Sequence, residues 1–161
     1  TIIQGFFGLS ESKLAIAMLS YGTGAMLSAF VVFVKSGTSN YKRIMLIGAF
    51  LTSIISLCSI FIQSFETLLL SWLCFGFLSS FMLVPIGQIL REETDENDRT
   101  AIFGAQFSLS HACWLISYPL IGYLLVIGGL EISFFIIGIL VLITTFIAWY
   151  LWYSPSANLS S

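Results

Sequence analysis

Charged side chains fall along this chain in a few short clusters, and between the clusters run five uncharged, mostly apolar stretches. They are Leu14 to Val34, Ile44 to Phe65, Thr67 to Leu90, Thr100 to Leu130 and everything after Glu131, with lengths of 21, 22, 24, 31 and 30 residues. An α-helix rising about 1.5 Å per residue needs roughly 20 residues to cross a hydrocarbon core about 30 Å thick. Each stretch is long enough, so the pattern predicts five transmembrane helices, at about residues 12–34, 44–65, 67–90, 100–129 and 132–153, in a single transmembrane domain over 1–161. The two-residue alternation of a membrane β-barrel is absent, and a helix satisfies its backbone groups within the span. The fold class expected is an all-α integral membrane protein.

Composition sharpens this. Hydrophobic residues make up 58% and charged residues 9% of the 161, against roughly 25% charged in soluble domains, and the mean hydropathy is +1.00. A soluble fold would have to hide five long apolar helices behind almost no polar surface. The net charge of −2 is small and scattered, and no basic patch suggests nucleic acid. Cys58, Cys74 and Cys113 each lie within a predicted span at spacings that match no zinc or disulfide framework. No metal and no cofactor is expected. Asn158, Leu159 and Ser160 have the form of a glycosylation acceptor, read as chance at the end of the chain.

Charge placement predicts an orientation. Lys35, Lys42 and Arg43 lie between the first two stretches, and Arg91 and Arg99 between the third and fourth; the other side carries one basic residue, Lys13, beside Glu11, Glu66 and Glu131. The positive-inside rule counts Lys and Arg and largely ignores acids. It places the N-terminus outside and the C-terminus in the cytoplasm, which fits a multi-pass protein of a cell (inner) membrane. The chain opens at Thr1 with Ile2, Ile3, Phe6, Phe7 and Leu9 around two glycines. No basic region precedes this segment and no small-residue cleavage site follows, so it is not a signal peptide. It looks like the end of an earlier apolar segment, and the expectation is a C-terminal piece of a longer protein.

The spans differ in character. Ser20, Gly24 and Ser28 form a four-residue stripe that lets another helix approach closely, and Gly76 with Ser80, and Gly104 with Ser108 and Ala112, repeat it. Thr52, Ser56, Ser59 and Gln63 share one face of the second span, as buried packing or as a weakly polar cavity wall. The fifth span ends in Trp149, Tyr150, Trp152 and Tyr153, an aromatic cluster suited to a headgroup interface. Pro85 and Pro119 each predict a local bend or break, serving as a hinge or as a tolerated kink.

His111 is the only ionisable residue inside any span, twelve residues or about 18 Å past Arg99. That places it near the bilayer midplane. Its helical face carries Gly104, Phe107, Ser108, Trp114, Leu115, Tyr118 and Gly122, a wall for a cavity that combines rings, small residues and hydroxyls. An imidazole there suits a proton carrier; equally, a neutral histidine bonded to a serine of a neighbouring helix would serve packing alone. Cys113 points about 200° away on the helix, so the two do not share a metal ion. In the loop from Arg91 to Arg99, Asp95 or Asn97 is expected to cap the fourth helix, with Glu96 and Asp98 favourable at its positive end. Ion pairs made by Lys42, Arg43, Arg91 and Arg99 are candidate cytoplasmic gates.

The order of these elements resembles the C-terminal half of major facilitator superfamily transporters, from the eighth to the twelfth helix, over essentially the whole chain. The loop from Gly37 to Arg43 lies where that superfamily carries a basic loop between its eighth and ninth helices, though the acidic residue and second glycine of the full motif are missing. Ser117 to Gly122 looks like the proline and glycine pattern of the eleventh helix, and Ala105 to Leu115 is similar to a stretch of bacterial efflux-type members. The resemblance implies a six-helix bundle lacking its first helix, working with a missing N-terminal half as a secondary transporter. It would move a small solute by alternating access, with proton coupling most naturally carried by His111. The ninth and twelfth helices of such folds face lipid, which suits the aromatic fifth span. A non-transporting membrane subunit that assembles through its small-residue faces is the alternative. An enzyme is not expected, because no second acid, base or metal ligand accompanies His111.

Overall fold

The computed structural model describes residues 11–34, 40–62 and 64–154. Lys35, Gln63, the opening segment, Asn158 and the first residues of the loop before Asn40 therefore lie outside the described residues. Among those described, the fold is all helical. Helix α1 spans Glu11–Val34, α2 Tyr41–Leu57, α3 Phe65–Glu92 and α4 Arg99–Tyr153, and a 3-10 turn, Cys58–Phe61, extends α2. Three of the helices are long and apolar enough to cross a membrane: α1 over Glu11–Val32, α3 and α4. The fourth, α2, has 17 residues before the 3-10 turn.

Helix ends differ from those expected because charge marks the edge of a hydrocarbon layer, not the end of a helix. α2 begins at Tyr41, three residues before the expected Ile44, and takes Lys42 and Arg43 into its first turn, with the Asn40 carbonyl accepting from the Ile44 amide at 3.1 Å. α3 begins at Phe65 through a capping box: Ser64 accepts from the Thr67 amide at 3.2 Å, and Thr67 accepts from the Ser64 amide at 3.1 Å. The adjacent Glu66 carboxyl is held below the usual carboxylate range, first by its own backbone amide and then by Ser64. The cap expected from Asp95 or Asn97 is not formed. Asp98 occupies the cap position of α4 and its side chain makes no capping bond.

The largest departure is in α4, where the expected gap around Leu130 and Glu131 is itself helical. A single residue breaks the 55-residue helix, Gly129 at φ 69° and ψ −170°. It is the only described residue with a positive φ, in a region open essentially to glycine alone. The break leaves two rods, 99–128 and 130–153, and Ser133 donates to the Gly129 carbonyl at 2.6 Å beside it. Pro85 and Pro119 lie within uninterrupted helix, so neither produces a full break.

Small residues decide how the helices meet. Gly24 and Ser28 of α1 and Gly76 and Ser80 of α3, read from the sequence as separate stripes, face each other and are buried. Ser20 donates to the Leu69 carbonyl at 2.9 Å and Ser80 to the Ala25 carbonyl at 3.0 Å. Contacts advance in step along both helices, so α1 and α3 run parallel, and at their start Lys13 lies 5.4 Å from the centre of the Phe65 ring. α2 packs antiparallel to α3 through Gly48, where an added Cβ would come within 2.9 Å of Phe81. It also packs antiparallel to the second rod of α4, through Ser56 donating to the Phe134 carbonyl at 2.7 Å and Leu57 against Gly138. Of the polar face expected on the second span, Ser56 and Ser59 are buried as packing, whereas Thr52 is half-buried and borders a cavity.

Candidate functional site

Burial divides α4 sharply. All three of its buried residues, Ser133, Gly138 and Thr145, lie beyond Gly129, whereas no described residue from 99 to 128 is buried. The rod that carries the sequence-predicted site is therefore much less covered by the described helices than the rod beyond Gly129.

On that rod the predicted residues do come together. Phe107 and His111 have ring centres 3.9 Å apart, His111 and Trp114 4.8 Å, and Trp114 and Tyr118 6.4 Å with nearly parallel planes. Four rings thus form one continuous row, as expected from residues spaced three and four apart. Ser108 lies beside it and turns its hydroxyl back to the Gly104 carbonyl at 2.9 Å. His111 is exposed, and its Nδ1 is 2.8 Å from the Phe107 carbonyl one turn earlier. Among the described residues, no serine of a neighbouring helix bonds to His111. With Nδ1 on that carbonyl as a donor, Nε2 is left as the acceptor facing away from the helix backbone.

Two cavities were not foreseen, and neither is lined by Ser108 or by any of the four row residues. One, of about 430 Å³, lies among α1, α2, α3 and the second rod, lined by Trp72, Phe75 and Phe134 and by Tyr21, Thr52 and Ser79, whose hydroxyls donate within the protein. Tyr21 donates to Ser79 at 3.0 Å. The other, of about 560 Å³, runs between the start of α2 and the end of α4, with Arg43 and Asn40 at one end.

The charged candidates separate into two groups. Lys42 pairs with Glu93 at 2.5 Å, joining the start of α2 to the end of α3, and Arg99 approaches Glu96 at 3.9 Å. Glu93 was not singled out in the sequence. Arg43 and Arg91 form no ion pair with a described residue. Tyr153 shares a cleft with Lys42 and Glu93, so the end of α4, the start of α2 and the end of α3 lie on one side of the bundle. No group of histidine, cysteine and acidic residues that would suit a metal ion occurs among the described residues.

The sequence model of the Major Facilitator Superfamily matches residues 1–160. The chain belongs to that superfamily. Membership points to a multi-pass membrane transporter rather than an enzyme, in keeping with the long apolar helices. No curated protein and no solved structure matches the chain. Within a major facilitator superfamily protein, the less covered rod at 99–128 and its row of rings are the features that most need a function.

Proposed function

We propose that this chain is the C-terminal part of a secondary transporter that moves a small solute by alternating access, coupled to protons, with the row Phe107, His111, Trp114 and Tyr118, and Ser108 beside it, lining the path. The observation that carries this reading is the absence of any buried side chain from 99 to 128. A rod bearing four rings and the only histidine is then left free to face a pathway and the other half of the transporter. His111 takes a proton on Nε2 from the aqueous side and holds it near the midplane while the halves rock about the site.

The reading has five crossings: α1, α2 with its 3-10 turn, α3, and the two rods of α4. α2 and the turn together reach about 34 Å at ~1.5 and ~2.0 Å per residue, enough for a hydrocarbon core of about 30 Å. Packing directions support this count. α1 and α3 run one way and α2 the other; the rod at 130–153 opposes α2, so it runs with α3. The rod at 99–128 must then reverse between them. The side holding Lys42, Arg43, Arg91, Arg99 and Tyr153 is the cytoplasmic one by its share of the basic residues, and the membrane is the cell's inner membrane. The small-residue faces of α1 and α3 are already occupied by each other, which leaves a subunit only the face of Gly104, Ser108 and Ala112 for assembly with a partner.

The test is the pH dependence of transport by the full-length protein in proteoliposomes. His111→Ala is expected to flatten the pH dependence of transport. An unchanged profile removes His111 as the carrier.

A further inference from the structure

We infer that the groove between the start of α2 and the end of α4 is a binding site for an anionic glycerophospholipid, with the phosphate at Arg43 and one acyl chain along the groove. Its volume of about 560 Å³ lies within the roughly 300–1,000 Å³ of ordinary ligand pockets. Chemistry is distributed along it as an amphiphile requires. Asn40, Arg43 and Tyr153 lie at one end, while Leu46, Phe50 and Phe146 form apolar walls further in. The one hydroxyl in the deeper part, on Thr145, is already committed to the Val141 carbonyl at 2.7 Å.

Length and charge select the occupant. From Asn40 to Leu51 the groove follows eleven residues of helix, or about 16 Å, close to half of a hydrocarbon core about 30 Å thick. It therefore fits the chain of a lipid in one leaflet. At the mouth, Trp149 and Tyr153 supply the amphipathic rings that settle at headgroup level. Of the two adjacent basic residues, Lys42 is engaged with Glu93, whereas Arg43 is exposed and forms no ion pair with a described residue. A guanidinium is shaped to hold two phosphate oxygens at once, and basic pockets between membrane helices on the cytoplasmic side suit anionic headgroups. A zwitterionic lipid would bring a cation of its own next to Arg43. The site is independent of transport and stands or falls by binding.

The test is lipid titration of the detergent-purified full-length protein, followed by native mass spectrometry, with dioleoylphosphatidylglycerol against dioleoylphosphatidylcholine. Wild type is expected to hold the anionic lipid more tightly, and Arg43→Gln to lower that affinity by about fivefold, the worth of one basic residue at a membrane surface. Arg43→Lys keeps the charge and is expected to keep most of the preference; Leu46→Trp, which fills the groove, is expected to weaken both lipids. Arg91→Gln removes a basic residue outside the groove and is expected to change nothing. Equal losses in Arg43→Gln and Arg91→Gln would overturn the site in favour of diffuse attraction, as would an Arg43→Gln protein that binds like wild type. Release of the lipid by an equal concentration of glycerol 3-phosphate would overturn the acyl-chain half of the proposal.

Discussion

Gly24 and Gly76 face each other's backbones where α1 crosses α3. A Cβ on Gly24 would overlap the Leu73 carbonyl and reach 2.9 Å from the Phe77 amide nitrogen, and a Cβ on Gly76 would overlap the Tyr21 carbonyl. The two helices touch main chain to main chain, the closest approach that helices in lipid can make, where packing rather than hydrophobic burial drives association. Gly76→Ala is accordingly expected to destabilise the protein by about 1–3 kcal/mol, the usual cost of overpacking a tight contact. Gly87→Ala, where an added Cβ meets nothing within 4 Å, is expected to be neutral or slightly stabilising. Thermal unfolding of both variants in one detergent decides the point, and equal stabilities would mean that the crossing is loose.

Gly129 imposes a second requirement of a different kind. Its φ of 69° with ψ of −170° is closed to residues with a Cβ at a cost of roughly 1–3 kcal/mol, although nothing lies within 4 Å of where that Cβ would stand. Backbone strain alone should therefore make Gly129→Ala lower the folded yield and the unfolding temperature. Gly122→Ala, also in open space but in helical backbone, should not. Side-by-side size-exclusion profiles and melting curves distinguish the two.

The Lys42–Glu93 pair joins the two charged clusters that the sequence suggested as a gate, yet both side chains are about half exposed, at 43% and 59%. Exposed pairs contribute at most about 1 kcal/mol and are screened by salt. A double-mutant cycle with Lys42→Gln and Glu93→Gln is expected to give a coupling below that value at low salt and close to none at high salt. A larger coupling that persists in salt would make the pair a lock.

Much of this architecture was legible in the sequence, and what was missed has identifiable causes. The small-residue stripes at Ser20, Gly24 and Ser28 and at Gly76 and Ser80 announced close packing, because their spacing is the helical repeat. That they pack against each other, and in parallel, is a long-range fact that no local spacing contains. Helix ends were misplaced at Tyr41 and Phe65 because charged and capping residues extend helices past the apolar run. Gly129 hid behind Glu131, since a charge draws the eye more than one of two adjacent glycines. The ring row from Phe107 to Tyr118 followed directly from three- and four-residue spacing. The grooves beside Tyr21 and Arg43 need residues from separate helices and could not be found that way.

The central claim is that one face of the rod at 99–128 lines an aqueous path, and thiol labelling tests it most directly. Cys113 lies on the opposite face from His111 and Ser108, so the protein already carries its own control. In full-length protein with Cys58 and Cys74 replaced, Ser108→Cys should react with a membrane-impermeant maleimide far faster than the native Cys113. Its reaction from the two sides of the membrane should shift in opposite directions when the proton gradient is reversed. Labelling of position 108 no faster than Cys113, or from one side only under both gradients, would contradict the account.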